Sequence, residues 1–223
     1  MKTEIKIERK VKNSKLLVVT PLLPNHKISD DTKKTIKRND IEFDWIQGIG
    51  ENNIPTNVQN ALAEYEKLYG ILKYYIMIDN DIILGRHMLD KLYEVIEKSP
   101  NNVAYAYANF EFKGYINAQF PAIPFDPKRL MYANYISSNS MFKWDIVKKV
   151  GLVTDDKYKR LLDWAFLLKL YDNGYIGTPA KNASFIAKST RDDISAGNRE
   201  DYNIKSKRVR EDFIDRIVER KFI

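Results

Sequence analysis

Apolar residues fall along the chain in short unbroken runs that alternate with stretches of three- and four-residue spacing. That is the pattern of strands covered on both faces and of the helices that cover them. Leu16-Leu17-Val18-Val19 is a leucine and β-branched run stopped by Pro21, and it predicts a buried strand. Asp30 to Arg38 is polar and predicts a surface helix. Ile41 to Ile46 then alternates apolar and polar as a second strand does, with Gly48 and Gly50 expected to mark its end. Pro55-Thr56 opens a helix whose Val58, Ala61, Leu62, Tyr65, Leu68 and Leu72 form one apolar face. Tyr74 to Ile78 is apolar at every position and predicts a central strand that runs directly into Asp79-Asn80-Asp81.

Met88, Leu89, Leu92, Val95 and Ile96 predict a second amphipathic helix, and Val103 to Tyr107 another strand. Asn109 to Asn139, rich in aromatics and proline, has no sustained period and reads as loops and short strands. Met141 to Val150 reads as a short helix closed by Gly151, and Leu161 to Leu170 as a further helix ended by Gly174. Ser184 to Ala187 predicts a last strand. In the tail, Val209, Phe213, Ile217 and Phe222 stand near helical spacing, so the tail is expected to fold back on the domain; a dimer or peripheral membrane contact is the alternative. The alternation of strands and helices predicts an α/β fold with a mixed central sheet.

A length of 223 residues fits one sizeable domain, and 44% apolar with 30% charged residues excludes a disordered chain. The absence of cysteine excludes disulfides, thiolate metal sites and a cysteine nucleophile. No signal-peptide pattern and no apolar run of membrane-spanning length is present, so a cytoplasmic location is expected. The first 38 residues carry a surplus equal to the chain's whole net charge of +7. This predicts a solvated, flexible start, with docking to an anionic surface as the alternative. Nucleic acid is not an expected partner, because no recognised reader motif accompanies the charge.

Two acids one residue apart at the mouth of a strand repel unless a cation lies between them. In open α/β sheets that edge is also where ligands bind. Oxygen-only ligands favour Mg2+ or Mn2+, which bridge carboxylates and substrate phosphates. The competing reading of Asp79-Asn80-Asp81 is a polar turn in which Asp79 or Asn80 caps backbone N–H groups.

From about Lys15 to about Lys188 an ordered set of landmarks resembles glycosyltransferase family 2, with its GT-A fold. Leu16 to Pro21 looks like the family's opening strand, Phe43 to Gly48 its second strand and nucleotide-facing turn, and Asn57 to Leu62 its helix with an Arg-Asn pair. Ile76 to Asp81 matches its metal-binding Asp-x-Asp. Ser137 to Phe142, followed by Val150-Gly151-Leu152, resembles the acceptor stretch; Leu162 to Phe166, followed by Asn173-Gly174-Tyr175, resembles the helix bearing the catalytic acid.

The resemblance implies inverting, metal-dependent transfer of a sugar from a nucleotide-diphosphate donor to a hydroxyl of a glycan or other acceptor. It implies a GT-A domain over 1–190, with a loop and amphipathic helix over 191–223 packed on it. Asp81 would hold Mn2+ or Mg2+, with Asp79 contributing directly or through the ribose, and Asp163 would be the general base. The nucleotide sugar would meet Thr20, Pro21, Gln47, Gly48, Gln59, Asn60, Asp79 and Asn80, and the acceptor Ser138, Asn139 and Trp164.

The chain departs from the family at three points. Gln47-Gly48 replaces a base-reading acid, Gln59 replaces the arginine, and His26 and His87 both lie far from the place of the family's late histidine. Lys188 or Arg191 would serve the diphosphate instead, with 192–203 as a lid. Two other functions compete. An Asp-x-Asp after an apolar strand also suits a haloacid dehalogenase-type phosphatase, and the same fold could serve as a non-catalytic glycan-binding domain.

Overall fold

The computed structural model describes residues 3–12, 14–70, 72–190 and 199–221. Strand β2 (Leu16–Leu22) is buried at all seven positions because it has a parallel neighbour on each side, β3 (Asp44–Ile49) and β4 (Tyr74–Met77). Its alternate side chains feed two cores. Leu17 and Val19 join one with Ile46, Tyr75 and helix α2 (Ile54–Tyr69), while Leu16 and Val18 join the other with Trp45, Ile76 and helix α3 (Met88–Glu97). Helix α1 (Asp30–Ile36) closes the second face, capped by the Ser29 side chain.

The remaining strands extend the sheet beyond β4. With β1 (Glu4–Arg9) on the far side of β3, strands β6 (Val103–Gly114), β8 (Met141–Lys143), β9 (Ile176–Ser189) and β5 (Ile82–Leu84) give the order β1-β3-β2-β4-β8-β6-β9-β5, with β7 (Ala118–Phe120) paired to β6. Short helices α4 (Pro127–Tyr132) and α5 (Trp144–Val150) flank β8, and α6 (Leu162–Asp172) packs in the first core. The tail forms α7 (Arg199–Val209), a π-helical turn over Arg210–Ile214, and α8 (Asp215–Lys221). Its Val209, Phe213 and Ile217 are buried with α6 in the first core, whereas Phe222 lies outside the described residues. No helix among the described residues is long and apolar enough to cross a membrane.

The N-terminal stretch is not the solvated start that its charge suggests. Glu4–Arg9 forms β1, antiparallel to β3. Ile5 and Ile7 alternate with charged residues, the pattern of a protected sheet edge, and the lysine-rich composition masks it. Beyond β1, Lys10 Nζ lies 2.8 Å from Asp44 Oδ2, the Val11 N–H donates to Asp44 Oδ1, and the Tyr65 hydroxyl donates to the same carboxylate. Burial and the Asp44 carboxylate push the Tyr65 hydroxyl up to about 12. Asp44 is only 1% exposed, so Asp44→Ala strands a buried hydroxyl and a cation. A loss of about 2 kcal/mol in urea unfolding is expected, mostly from that stranding.

Two further boundaries move. Strand β3 starts at Asp44 and continues through Gly48 to Ile49. Gly48 does not end the strand: a Cβ there would stand 3.0 Å from the Ala61 Cβ, so the glycine lets α2 lie close. Strand β6 runs on to Gly114, where Phe110 stacks on Phe120 with centroids 4.5 Å apart and on Phe185 at 5.5 Å. The alternation of Phe110 and Phe112 with Glu111 and Lys113 was the sequence signal for that half-exposed extension. Likewise β9 begins at Ile176 rather than near Ser184, and Met141–Lys143 is strand β8 before helix α5 begins, while Gly151 ends that helix at φ 78° as its position predicts.

Candidate active site

Strand β4 delivers Asp79, Asn80 and Asp81 to the C-terminal edge of the β2–β3–β4 parallel set. The Ile78 N–H still donates to Val19 O at 2.9 Å, after which the chain turns into β5. Asn80 faces the α1 side: its side chain donates to Lys27 O at 3.2 Å, and its carbonyl accepts from the Ser29 N–H and the Thr32 hydroxyl. The Asp79 carboxylate faces another segment, the loop before β8. Asn139 Nδ2 donates to Asp79 Oδ2 at 3.1 Å, and Asn139 Oδ1 accepts from the Asp79 N–H at 3.2 Å, a two-point clamp. Ser137 Oγ accepts a second bond from the same amide at 3.3 Å.

Asp163 enters from the first turn of α6, where a carboxylate meets unpaired backbone N–H groups. Its own N–H and that of Trp164 favour the ionised form, and Asn134 Nδ2 donates to Asp163 Oδ2 at 2.8 Å. Burial outweighs these bonds and pushes the carboxyl up to about 6. Asp79 is likewise pushed up to about 6, chiefly by burial. The charges of Asp81 and Asp163 add to the effect, and the Asn139 bond offsets part of it. Three carboxylates from two remote elements therefore share one electrostatic neighbourhood. Ser138 and Asp163 also line a common cavity.

The other expected contacts are distributed differently. Trp164 does not offer its ring to an acceptor: it is 1% exposed, and its indole N–H donates to Leu130 O at 2.7 Å, tying α6 to α4. Asn139 is buried and spends its amide on Asp79 rather than on an acceptor. Thr20 is fully buried with its hydroxyl accepting from the Trp45 indole, so its side chain does not face a nucleotide. Gln47 is buried and donates to Glu8 of β1, so its amide does not face a nucleotide base. Pro21 is buried opposite Gly48 in the β2–β3 register. Asn60 donates to the Thr3 hydroxyl at 3.1 Å near β1, and Gln59 is exposed. Lys188 is exposed with its ammonium 2.7 Å from Asp31 Oδ2, and that cation holds the Asp31 carboxyl below its usual range. Arg191 and 192–198 lie outside the described residues, and 199–203 belong to α7.

Sequence reasoning missed Asn134, which holds the general-base candidate, and the clamping role of Asn139. Polar loop residues at 134–140 were visible, but nothing linear tells which carboxylate each one meets.

No family model matches the chain, and no curated protein sequence matches it. Solved structures do. S. aureus TarS aligns over 92% of this chain and 43% of its own length, with 12% identity and a TM-score of 0.60. The structure of TarS 1-349 in complex with UDP aligns over 93% of this chain and 72% of its own, with 12% identity and a TM-score of 0.62. The structure of TarS 1-349 in complex with UDP-GlcNAc gives 10% identity, 92% and 73% coverage, and a TM-score of 0.57. The chain thus spans less than half of the TarS chain in that structure. With its mixed sheet flanked by helices and its carboxylates at the end of a parallel strand, the chain has the GT-A fold of the nucleotide-sugar transferases.

Proposed function

We propose that the chain is an inverting, metal-dependent glycosyltransferase resembling family 2, moving a sugar from a nucleotide-diphosphate donor to a hydroxyl of a glycan or other acceptor. The observation that carries this reading is the convergence of Asp79, Asp81 and Asp163, two of them pushed up to about 6, at the C-terminal edge of the sheet. The binding of UDP and UDP-GlcNAc by the similarly folded TarS 1-349 supports a nucleotide-sugar donor.

The residues fit a hard divalent cation. Their donors are all oxygen, and a cation would offset both what raises Asp79 most, its burial, and the smaller push from the charges of Asp81 and Asp163. Among the described residues no group of three acids or histidines forms an all-protein cage, so substrate phosphates and water would complete the shell around Asp79 and Asp81. Bound there, Mn2+ or Mg2+ supplies positive charge against the departing diphosphate.

The chain's own residues do the rest. Asn139 fixes the Asp79 carboxylate, while Asn80 anchors the turn to the α1 side. Asn134 and two backbone N–H groups orient Asp163 to take the acceptor's proton from the face of the sugar opposite the leaving group. A group already near 6 in the free protein accepts that proton at neutral pH without being a strong base in bulk water.

Thermal melting with UDP or GDP, with and without Mn2+, tests the reading. A nucleotide at a hundred times its Kd adds about 2.7 kcal/mol, or a rise of roughly 5–10 °C for a domain of this size, and the rise should require the metal. No shift with any nucleotide would favour a non-catalytic binding module, and turnover of a simple phosphate ester would favour a phosphatase.

A further inference from the structure

The tail does more than cover the first core. Asp163 lies in the first turn of α6, and the chain on either side of it is held by side chains of the tail. Before it, the Tyr158 hydroxyl donates to Asp212 Oδ2 at 2.6 Å, and Arg160, left-handed at φ 79°, has its guanidinium 3.7 Å from Asp201 Oδ2. A residue with a Cβ keeps such a backbone only where its surroundings fix it, and these contacts supply part of that fixing. After it, the Arg210 guanidinium lies over the Trp164 ring, 5.8 Å from its centroid.

Arg210 also reaches the element that holds Asp163 from the other side. The last turn of a helix leaves its carbonyls without partners inside it. In α4 the Leu130 carbonyl accepts from the Trp164 indole at 2.7 Å, and the Tyr132 carbonyl accepts from Arg210 Nη2 at 2.8 Å. A cation at that end also meets the negative pole of the helix. Just beyond Tyr132 stands Asn134, whose Nδ2 donates to Asp163 Oδ2 at 2.8 Å. Val209 and Phe213 are buried on either side of Arg210, so the core seats it and not its own flexible stem.

We infer that Arg210 is a positioning residue for the proposed general base: by stapling the end of α4 to the first turn of α6, it fixes Asn134 against Asp163. The inference rests on the transferase reading above and deepens it, since the base then depends on the docked tail. The effect runs through Asn134 and not through the guanidinium's charge. The Asn134 bond favours the ionised carboxylate, so loosening it raises the proton affinity of Asp163. A base held loosely also costs rate, by about 10- to 100-fold.

Carbon-detected NMR titration of the Asp163 carboxyl, without metal, decides it in the wild type, Arg210→Gln, Asn134→Ala and the double variant, with Asp163→Asn assigning the resonance. Asp79, which feels the Asp163 charge, and Asp81 beside it are unchanged in every variant, so their influence is common to all. The expected result is a midpoint raised by about half a pH unit or more in Arg210→Gln, by at least as much in Asn134→Ala, and no further in the double variant. An unmoved midpoint in Arg210→Gln overturns the inference. So does an additive rise in the double variant, which would mean that the guanidinium acts by its charge across space. Should Arg210→Gln fail to fold, Arg210→Met, which keeps the apolar stem, is read by the same criteria. On a donor that the wild type turns over, kcat of Arg210→Gln should fall by about 10- to 100-fold with the donor KM unchanged, and an unchanged kcat also sinks the proposal. Because the titration needs no substrate, the staple can fail while the metal-dependent UDP or GDP melting shift still upholds the transferase reading. Absence of that shift fells the transferase reading, and with it the base that Arg210 serves, even if the midpoints move.

Discussion

Asp163→Asn should lower the transfer rate by about 10²- to 10⁴-fold while leaving the metal-dependent affinity for a nucleoside diphosphate close to wild type. The amide is nearly the shape of the carboxyl and keeps an oxygen for the bond from Asn134, so the first turn of α6 should hold its geometry. What it loses is the ability to take a proton. Steady-state kinetics with a saturating donor, alongside calorimetry with UDP or GDP, separates the two effects; a variant that loses nucleotide binding as much as turnover would remove Asp163 from the general-base role. The wild-type pH profile should agree. With the Asp163 carboxyl pushed up to about 6 by burial, the base is ionised at pH 7.5, and turnover falls as pH drops through about 6. Because Asp79 titrates in the same range and feels the Asp163 charge, the acid limb belongs to the pair and should be steeper than one proton allows.

Asp79→Asn should abolish the Mn2+-dependent melting shift, reduce transfer by several orders of magnitude, and at the same time stabilise the ligand-free protein. The sign follows from the direction of its shift. The folded-state carboxyl sits at about 6, above its unfolded value near 3.8, so the folded protein binds the proton more tightly. Its contribution to stability is therefore greatest in acid and is lost as pH rises from about 4 to about 6. At pH 8 the ionised, half-buried group is a liability, and the neutral amide removes it while still accepting the bond from Asn139. The expected gain is on the order of 2 kcal/mol at pH 8, with little gain at pH 4. Urea unfolding at both pH values without metal reads it. A variant less stable than wild type at pH 8 would mean that the carboxylate is held for structure and not for a cation.

The sequence made the framework legible where burial is two-sided. Leu16–Leu22 and Tyr74–Met77 are covered on both faces and read as unbroken apolar runs, and the faces of α2 and α3 read as helical stripes. Legibility failed where a strand has a wet side. The charged residues of β1 and the outer half of β6 disguise a two-residue alternation, and β9 carries polar residues through most of its length. The candidate site was legible as three acids with ordered neighbours, because Asp79-Asn80-Asp81 follows a strand and Asp163 opens a helix. The partners of those acids were not. Asn139 lies 60 residues from Asp79 and Asn134 lies 29 residues from Asp163, so only the folded chain assigns them. Trp164 misled for a related reason: adjacency to Asp163 in sequence puts it on the next face of the helix, which here is the core.

The strand order has a consequence for how the molecule is made. Strand β8 inserts between β4 and β6, so β4 meets its second neighbour only after some sixty further residues have emerged. Pairings that close such long loops form late and slowly. A chain still growing past the Asp-x-Asp turn already carries those two acids but has neither the clamp nor the opposing helix. During synthesis the acidic corner therefore stays open to bulk solvent until Asn139 and helix α6 have emerged to wall it in.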